Sequence, residues 1–151
     1  MSGYTEKDKN GIYKTQASGT CIDNDTGKVV AIVGGREQKN IGYTLNRAFQ
    51  SPRQPGSAIK PLLVYAPALE HGWSAGSTVN DSPMASNDKH RVRNSHGSYS
   101  GQISLRRAVQ KSSNVATMRI YEQLTPKTCL KYLEEMNFKS VSYTHLTLPT
   151  N

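Results

Sequence analysis

The segment from Ser57 to Gly72 restricts the possible folds most, because it joins a turn to a strong helical pattern. A Pro-Gly pair precedes the segment, and Gly72 supplies a helix stop signal. Apolar residues recur at helical spacing, at Ile59, Leu62, Leu63, Ala66 and Leu69. This spacing predicts an amphipathic helix whose apolar face is buried. Pro61 is tolerated in the first turn, whereas Pro67 is expected to kink the helix.

The same predicted helix carries a hydroxyl and an amine, at Ser57 and Lys60. Their spacing puts both side chains on one face, about one turn apart. A serine hydroxyl is a weak nucleophile until a neighbouring base takes its proton, and a lysine can be that base when burial lowers its pKa. Backbone N–H groups at the start of the helix can stabilise an oxyanion. The simpler interpretation is a serine that caps the helix beside a surface lysine.

A second Ser-x-x-Lys pair occurs at Ser86 and Lys89. It lies in a long polar stretch, residues 74–102, and no apolar run follows it. We therefore interpret Ser86 and Lys89 as solvated loop residues. A structureless stretch of this length is expected to be either functional or disordered.

Ser112 and Asn114 form the only Ser-x-Asn in the chain. On a continuous helix Ser112 would join an apolar stripe, and Asn114 would point nearly the opposite way. The stripe consists of Leu105, Ala108 and Val109. Both polar residues can serve one site only if the helix breaks between them, which Ser and Asn favour. A serine there can relay a proton and an asparagine can bind a substrate amide; the alternative is a plain helix–loop–helix corner.

Regular structure is predicted on both sides of these motifs. Apolar runs at residues 20–22 and 29–33 flank an Asn, Asp and Gly-rich turn, which predicts a β-hairpin. Thr125 and Pro126 predict the start of a late helix. The apolar face of that helix is expected at Cys129, Leu130, Leu133 and Met136. Cys21 and Cys129 are expected to be small buried hydrophobes rather than a disulfide or a zinc site.

The chain is basic, with a net charge of +8 over 151 residues. This balance favours anionic partners without choosing among them. The basic run at residues 89–93, with Tyr99 nearby, allows a non-catalytic module that binds an anionic polymer, and a steep loss of binding with salt would support it. Basic loops are usually only solvated, so no nucleic-acid partner is expected. No signal peptide or membrane anchor is recognised in the sequence.

An ordered run of short motifs extends the pattern around Ser57. In chain order these are Ile22-Asp23 with Thr26-Gly27, Val33-Gly34-Gly35-Arg36, Asn46-Arg47-Ala48, Arg53-Gln54-Pro55-Gly56-Ser57-Ala58-Ile59-Lys60-Pro61, Asp81-Ser82-Pro83, Tyr99-x-Gly101, Leu105-Arg106-x-Ala108 and Ser112-x-Asn114. This run resembles the active-site serine penicillin-recognising enzymes. The closest likeness is to the transpeptidase domain of class A (bifunctional) penicillin-binding proteins.

The resemblance implies an α+β fold, namely the N-terminal part of the penicillin-binding transpeptidase and serine β-lactamase-like fold. An antiparallel sheet would be flanked by helices, with the sheet incomplete. Ser57 would attack the penultimate D-alanine carbonyl of a D-Ala-D-Ala stem peptide of peptidoglycan, and Lys60 would accept its proton. Ser112 would help to protonate the departing D-alanine, and Asn114 would hold the peptide. β-Lactam antibiotics would acylate Ser57, and no metal or cofactor is implied.

The chain departs from the family in its third motif, Lys-Thr-Gly. The nearest match, Lys127-Thr128-Cys129, falls in the first turn of a predicted helix. In the family this motif lies on a later strand that binds the substrate carboxylate and supplies one of two oxyanion donors. Loss of one such donor costs ~10²–10³ in rate in a well-studied protease. The 151-residue chain by itself is therefore expected to be impaired.

These observations predict three parts in the chain. Residues 1–18 would be a linker or the end of a preceding region, and residues 19–140 a partial transpeptidase domain. Residues 141–151 do not resemble the family and are expected to be a foreign or frame-shifted tail. The parent protein would be anchored at the outer face of the bacterial cytoplasmic membrane, with a glycosyltransferase domain before residue 1.

A β-lactamase or a β-lactam sensor of the same superfamily is the alternative function. Residues 53–56 favour the synthase, because this Arg-Gln-Pro-Gly segment resembles class A synthases. A β-lactamase would also need a base to activate a deacylating water. The sequence identifies no residue for that role.

Overall fold

The computed structural model describes residues 2–36, 42, 44–85 and 92–138. The predictions for Ser86, Lys89 and residues 141–151 lie outside the described residues. The chain divides into two compact units, Met1–Gln54 and Pro55–Asn151. Each unit is built around its own short antiparallel hairpin.

In the first unit, Tyr13 organises the segment that precedes the hairpin. Two cations lie over its ring, the Lys7 ammonium 4.5 Å and the Arg36 guanidinium 4.1 Å from the centroid. The Arg36 guanidinium also donates to the carbonyls of Tyr4 and Thr15. These bonds tie residues before position 18 to the end of the hairpin, and the domain boundary at that position stays a prediction.

The predicted first hairpin is confirmed. Strand β1 (Gly19–Ile22) pairs with β2 (Val29–Val33) in antiparallel register. The Asp23 carboxylate holds the turn by accepting from the Asp25 N–H and the Thr26 hydroxyl. Every residue of both strands is exposed, and the prediction that Cys21 is buried is therefore wrong. The apolar pattern identified the strands correctly, but the described residues place no layer over them.

The second unit begins with the predicted helical segment, whose geometry changes twice. A 3₁₀ turn (Gly56–Ile59) leads into a π-helical turn (Pro61–Tyr65) and then into α1 (Ala66–Glu70). The N–H of Ala66 reaches the Pro61 carbonyl in the wider π spacing. Pro67 lies in the first turn of the α-helical part, where a proline is tolerated. Gly72, with a φ of +90°, follows the end of the segment as predicted.

The buried face of this segment differs from the predicted one. Ile59 and Leu63 are buried as expected, but Leu62 and Leu69 are exposed. Val64, Tyr65 and Ala68 take their place in the core. A 3₁₀ turn has fewer residues per turn than an α-helix, and a π turn has more. A prediction that assumes a constant helical period therefore assigns the wrong residues to the buried face.

A second hairpin interrupts the long polar stretch and was not predicted. Strand β3 (Thr78–Asp81) pairs antiparallel with β4 (Gly101–Ser104). Each strand has four residues, and most of them are polar, so alternation is too short to detect. The prediction of a structureless stretch over residues 74–102 is wrong at both of its ends.

The described part of the second unit continues with three helices: α2 (Leu105–Lys111), α3 (Asn114–Leu124) and α4 (Pro126–Glu135). Thr125 caps α4 and Pro126 is its first residue, as predicted. The helix is interrupted at Ser112 and Ser113, between α2 and α3. A shared Ser112–Asn114 site requires this interruption. Val109 and Met136 are exposed, contrary to prediction. Both lie close to helix ends, where only part of the apolar pattern faces the core.

The core of the second unit lies between the helical segment, the β3–β4 hairpin and helices α2 to α4. Its buried apolar members are Ile59, Leu63, Val64, Tyr65, Ala68, Val79, Ile103, Leu105, Ala108, Ala116, Ile120, Cys129, Leu130 and Leu133. Two small antiparallel sheets and several helices confirm the predicted α+β class. Within the described ranges, no helix is long and apolar enough to cross a membrane.

Candidate active site

Lys60 is the centre of the candidate site, because its amine is buried and forms hydrogen bonds with residues where α2 ends and α3 begins. The residue is 1% exposed. Its Nζ donates to the Ser112 carbonyl at 2.7 Å, to Ser112 Oγ at 3.1 Å and to Asn114 Oδ1 at 2.6 Å. Three neutral acceptors match the three donors of an ammonium group. The structure thus brings three of the four predicted site residues together.

Ser112 can offer both of its oxygens to Lys60 because its backbone is left-handed. It ends α2 with φ 48° and ψ 39°, a conformation that non-glycine residues adopt rarely and at a cost. Its N–H still bonds the Ala108 and Val109 carbonyls of α2. The reversal of chain direction at Ser112 releases its carbonyl from the helix. That carbonyl becomes the 2.7 Å acceptor for the amine.

Asn114 is held so that its carbonyl oxygen faces Lys60. It is the first residue of α3 and is 5% exposed. Its Nδ2 donates to the Arg93 carbonyl at 2.9 Å, which leaves Oδ1 directed at the amine. Its backbone N–H donates to Asn94 Oδ1 at 2.9 Å. Neighbouring segments therefore fix both ends of the Asn114 amide.

Ser57 lies outside this hydrogen-bonded group. The Lys60 N–H donates to the Ser57 carbonyl, so the two residues stand at positions i and i+3 of the 3₁₀ turn, where side chains eclipse. Ser57 is exposed, and no hydrogen bond from its hydroxyl to Lys60 is present among the described residues. The nucleophile that the sequence predicts is thus open to solvent beside a buried amine. Its role stays a prediction.

Burial changes the acid–base behaviour of the amine. Desolvation lowers the pKa of Lys60 from 10.5 to about 8. Within the described ranges no carboxylate forms an ion pair with it, so no negative charge opposes this shift. A substantial fraction of Lys60 is therefore neutral slightly above physiological pH, as a general base requires.

The sequence did not identify Asp81 and Asn94 as site residues, yet they support the break between α2 and α3. Asp81 is 1% exposed and accepts from the Ser113 hydroxyl at 2.7 Å and from Asn94 Nδ2 at 2.8 Å. Asp81 belongs to one of the motifs of the resemblance, which was the only available signal for it. Asn94 lies in the polar stretch, where nothing in the sequence distinguishes it from a loop residue.

The alternative polymer-binding interpretation gains no support from the described residues. Tyr99 is half-buried and packs against the cluster formed by Met84, Val92, Val115 and Met118. Residues 89–91 lie outside the described residues. Lys127 and Thr128 lie in the first turn of α4, as the sequence predicted, and not on a strand.

Comparisons with known proteins identify the family to which the chain belongs. The family model described as the penicillin binding protein transpeptidase domain matches residues 17–151. The match includes residues 141–151, which the sequence pattern set apart, and their interpretation as a foreign tail stays a prediction.

Two relatives illustrate the similarity. Penicillin-binding protein 1A of Clostridium perfringens (strain 13 / Type A) is 40% identical over 139 residues, which cover 87% of this chain and 20% of the relative. Penicillin-binding protein 1A of Clostridium acetobutylicum is 37% identical over 147 residues, which cover 89% of this chain and 18% of the relative. The chain spans about a fifth of the length of these relatives.

Solved structures show the same fold. The crystal structure of penicillin-binding protein 1A from Haemophilus influenzae matches with a TM-score of 0.74 at 31% identity, over 93% of this chain and 22% of that one. The PonA1 protein from Mycobacterium tuberculosis, solved in complex with penicillin V, matches with a TM-score of 0.70 at 24% identity, over 88% of this chain and 34% of that one. The chain therefore belongs to the penicillin-binding protein transpeptidase domain family.

Proposed function

We propose that the chain carries the acylation centre of a peptidoglycan D,D-transpeptidase that cross-links D-Ala-D-Ala stem peptides through an ester on Ser57. The observation that carries this proposal is the buried Lys60 amine, bonded to both Ser112 and Asn114. A surface lysine beside a helix cap would be solvated and would keep an ordinary pKa. Lys60 is instead buried and has a pKa of about 8.

In the first half-reaction, the neutral Lys60 amine takes the proton of the Ser57 hydroxyl. Ser57 Oγ forms an ester with the penultimate D-alanine carbonyl, and the amide bond to the terminal D-alanine breaks. Ser112 Oγ, 3.1 Å from the amine, passes its proton to the departing nitrogen and regains one from Lys60, which returns to its neutral form. Backbone N–H groups near the start of the 3₁₀ turn contribute to stabilising the oxyanion.

In the second half-reaction, an amine of a neighbouring stem peptide attacks the ester. The attacking nitrogen gives a proton to Lys60 as the new amide bond forms, the ester breaks, and Lys60 passes that proton to Ser57 Oγ. Asn114 is proposed to act in both steps, because the start of α3 fixes its backbone and its side chain accepts a hydrogen bond from the Lys60 amine. The proposed donors and acceptors are peptidoglycan strands, and a β-lactam would follow the first step and remain on Ser57.

The site favours a long-lived acyl-enzyme over a β-lactamase. A β-lactamase needs a base that activates water against the ester. Within the described ranges no carboxylate is hydrogen-bonded to Ser57 or Lys60, and Asp81 already accepts from Ser113, Asn94 and the Ser100 N–H. Asp81 is therefore engaged in structure and is not free to activate water.

The parent protein is proposed to act at the outer face of the bacterial cytoplasmic membrane, where its substrate strands are assembled. This location rests on the family and on the proposed substrate. The described helices contribute no membrane span of their own.

A labelled penicillin tests the proposal. The decisive protein is a chimera in which this chain replaces the matching segment of the full-length Clostridium perfringens relative, because the chain spans only about a fifth of that relative's length. We expect a stable acyl adduct that peptide mass spectrometry maps to Ser57. The 151-residue chain alone should label weakly or not at all.

Two variants act as controls. Ser57→Ala should abolish the adduct, whereas Ser74→Ala, which removes an exposed hydroxyl that lies within hydrogen-bond distance of Ser77 Oγ, should leave it intact. A chimera that folds but forms no adduct would contradict the proposal. Rapid release of hydrolysed drug would instead assign the site to a β-lactamase.

A further inference from the structure

The buried carboxylate of Asp81 has no assigned role in the acylation centre, although a chain of hydrogen bonds connects it to Lys60. Its Oδ1 accepts from the Ser113 hydroxyl at 2.7 Å and from Asn94 Nδ2 at 2.8 Å. Its Oδ2 accepts from the Ser100 N–H at 3.1 Å. Among the described residues no cation forms an ion pair with it, and the donors that these residues supply to it are neutral. Burial of a carboxylate without an ion-pair partner costs free energy of folding, which indicates that this carboxylate has a specific role.

The first link is Asn94, whose amide the carboxylate orients. Its Nδ2 points to Asp81 and to the Ser98 carbonyl. Its Oδ1 must then face the opposite way, where it accepts from the N–H groups of Asn114 and Val115 at 2.9 and 3.2 Å. A reversed amide would direct donors at those N–H groups and an acceptor at the carboxylate. The Asp81 acceptor, together with the Ser98 carbonyl, therefore selects one orientation.

The second link is the backbone next to Asn94. The Arg93 carbonyl accepts from Asn114 Nδ2 at 2.9 Å, so this carbonyl fixes which end of the Asn114 amide faces Lys60. The end that faces Lys60 is Oδ1, at 2.6 Å from Nζ. If the segment carrying Arg93 and Asn94 moved, the Asn114 amide could rotate and place a donor against the ammonium.

We infer that Asp81, acting through Asn94, is a positioning residue that holds the Asn114 amide, and with it the acceptors of Lys60, in the orientation used for acylation. This inference rests on the proposed function. Asp81 touches neither Lys60 nor the reacting atoms, and it acts only by fixing the donors and acceptors between them. The specific prediction is that the acylation rate of Ser57 depends on which of Asp81 and Asn94 is the acceptor and which is the donor, and not only on how the two side chains pack.

A polarity swap in the chimera separates orientation from packing. D81N directs an amide donor at donors of Asn94 or Ser100, and N94D places two carboxylates together. Each single variant should lower the rate constant for acylation of Ser57 by penicillin about tenfold or more. In D81N/N94D the donor and acceptor of the pair exchange places, so the double variant should recover at least about threefold over D81N.

Val79→Ala is the matched control, because Val79 is buried on the same strand and its truncation leaves a cavity without touching the network. It should lower the melting temperature while the acylation rate per folded molecule stays within about twofold of the parent. Normal acylation of D81N, or strictly additive losses in the double variant, would overturn the inference.

A readout that does not need activity distinguishes this inference from the proposed function. In the chain itself, amide hydrogen exchange at Asn114 and Val115 reports the bonds to Asn94 directly. D81N should speed exchange at these two amides more than at Ile120, which lies deeper in α3. Equal acceleration at all three would overturn the inference, whatever the result with penicillin. If penicillin does not acylate the parent chimera, but D81N speeds exchange at Asn114 and Val115 more than at Ile120 in the chain itself, only the proposed function is contradicted.

Discussion

Lys60 Nζ donates a 2.6 Å hydrogen bond to Asn114 Oδ1, although 54 positions separate the two residues in the chain. The bond joins the helical segment that carries the predicted nucleophile to the first residue of α3. The Lys60 amine also bonds both oxygens of Ser112, so its surroundings depend on the break between α2 and α3. A distant part of the sequence therefore supplies the hydrogen-bond partners of the Lys60 amine.

Two substitutions at Asn114 should move the pKa of Lys60 in opposite directions. Asn114→Ala removes an acceptor of the ammonium, so the pKa should fall further. Asn114→Asp adds a negative charge, so the pKa should rise. In the chimera, the pH profile of acylation should shift to lower pH with alanine and to higher pH with aspartate.

The stability of the alanine variant should fall as well. Asn114→Ala leaves the Arg93 carbonyl and one Lys60 donor without their partner, which costs about 1–3 kcal/mol of unfolding free energy. Denaturant unfolding measures this loss. If the two Asn114 variants shift the pH profile in the same direction, the bond does not control Lys60.

A pair of substitutions at Ser112 separates its backbone role from its hydroxyl. Ser112→Gly and Ser112→Ala both remove the oxygen that bonds Lys60 at 3.1 Å. Glycine adopts the left-handed backbone without the cost that alanine retains, so the glycine variant should be about 1 kcal/mol more stable to unfolding than the alanine variant. Thermal unfolding of the two variants gives this difference.

The same pair should show equal losses of acylation in the chimera, because both variants lack the proposed proton relay. Full activity in the glycine variant would show that only the backbone of Ser112 is needed.

How far the site could be predicted depends on which contacts are local in sequence. The spacing of Ser57 and Lys60 and the cap at Thr125 are local features: the structure puts the first pair on one helical turn, although that turn is 3₁₀, and starts a helix after Thr125 as expected. The break at Ser112 also followed from local preferences. The contacts of Asn94 with α3 did not, because a loop asparagine shows no periodicity or spacing that reveals its partners.

The errors in the fold have physical causes of the same kind. Leu62 and Leu69 are exposed because the 3₁₀ and π turns change the helical period, and this change has no signal in the apolar pattern. Strand β3 was missed because its partner β4 lies about twenty residues away across a polar loop. Pairing over that distance depends on the core beneath the strands, which a window of sequence does not contain.

The stability of the chain should depend on pH through Lys60. Its pKa is about 8 in the folded chain against 10.5 when solvated. Between these values the unfolded chain holds a proton that the folded chain has lost, so the free energy of unfolding should rise with pH. Below about 8 the cost of the buried charge is fully present.

Lys60→Met isolates this effect, because all other titrating groups are shared by the two proteins. The difference in unfolding free energy between the parent chain and Lys60→Met should change with pH in favour of the parent over this window. Unfolding curves at a series of pH values measure it. A constant difference would mean that the amine is not desolvated.

The two cysteines should differ sharply in reactivity. Cys21 is exposed, whereas Cys129 is buried and burial raises the pKa of its thiol to about 11. Iodoacetamide at neutral pH should therefore modify Cys21 alone in the folded chain, and Cys129 only after denaturant is added. Mass spectrometry of Cys21→Ser, which keeps only the buried thiol, checks this directly. Rapid modification of the folded Cys21→Ser variant would contradict the described core around α4.

The central claim, that Lys60 is the base for Ser57, is tested most directly by the pH dependence of Ser57 acylation in the chimera. The rate constant for acylation by a labelled penicillin should rise with pH through a single ionisation near the Lys60 pKa of about 8. Lys60→Arg, which stays protonated, should lose this rise together with most of the rate. A profile that does not change with pH, or one that follows an ordinary lysine near 10.5, would contradict the claim.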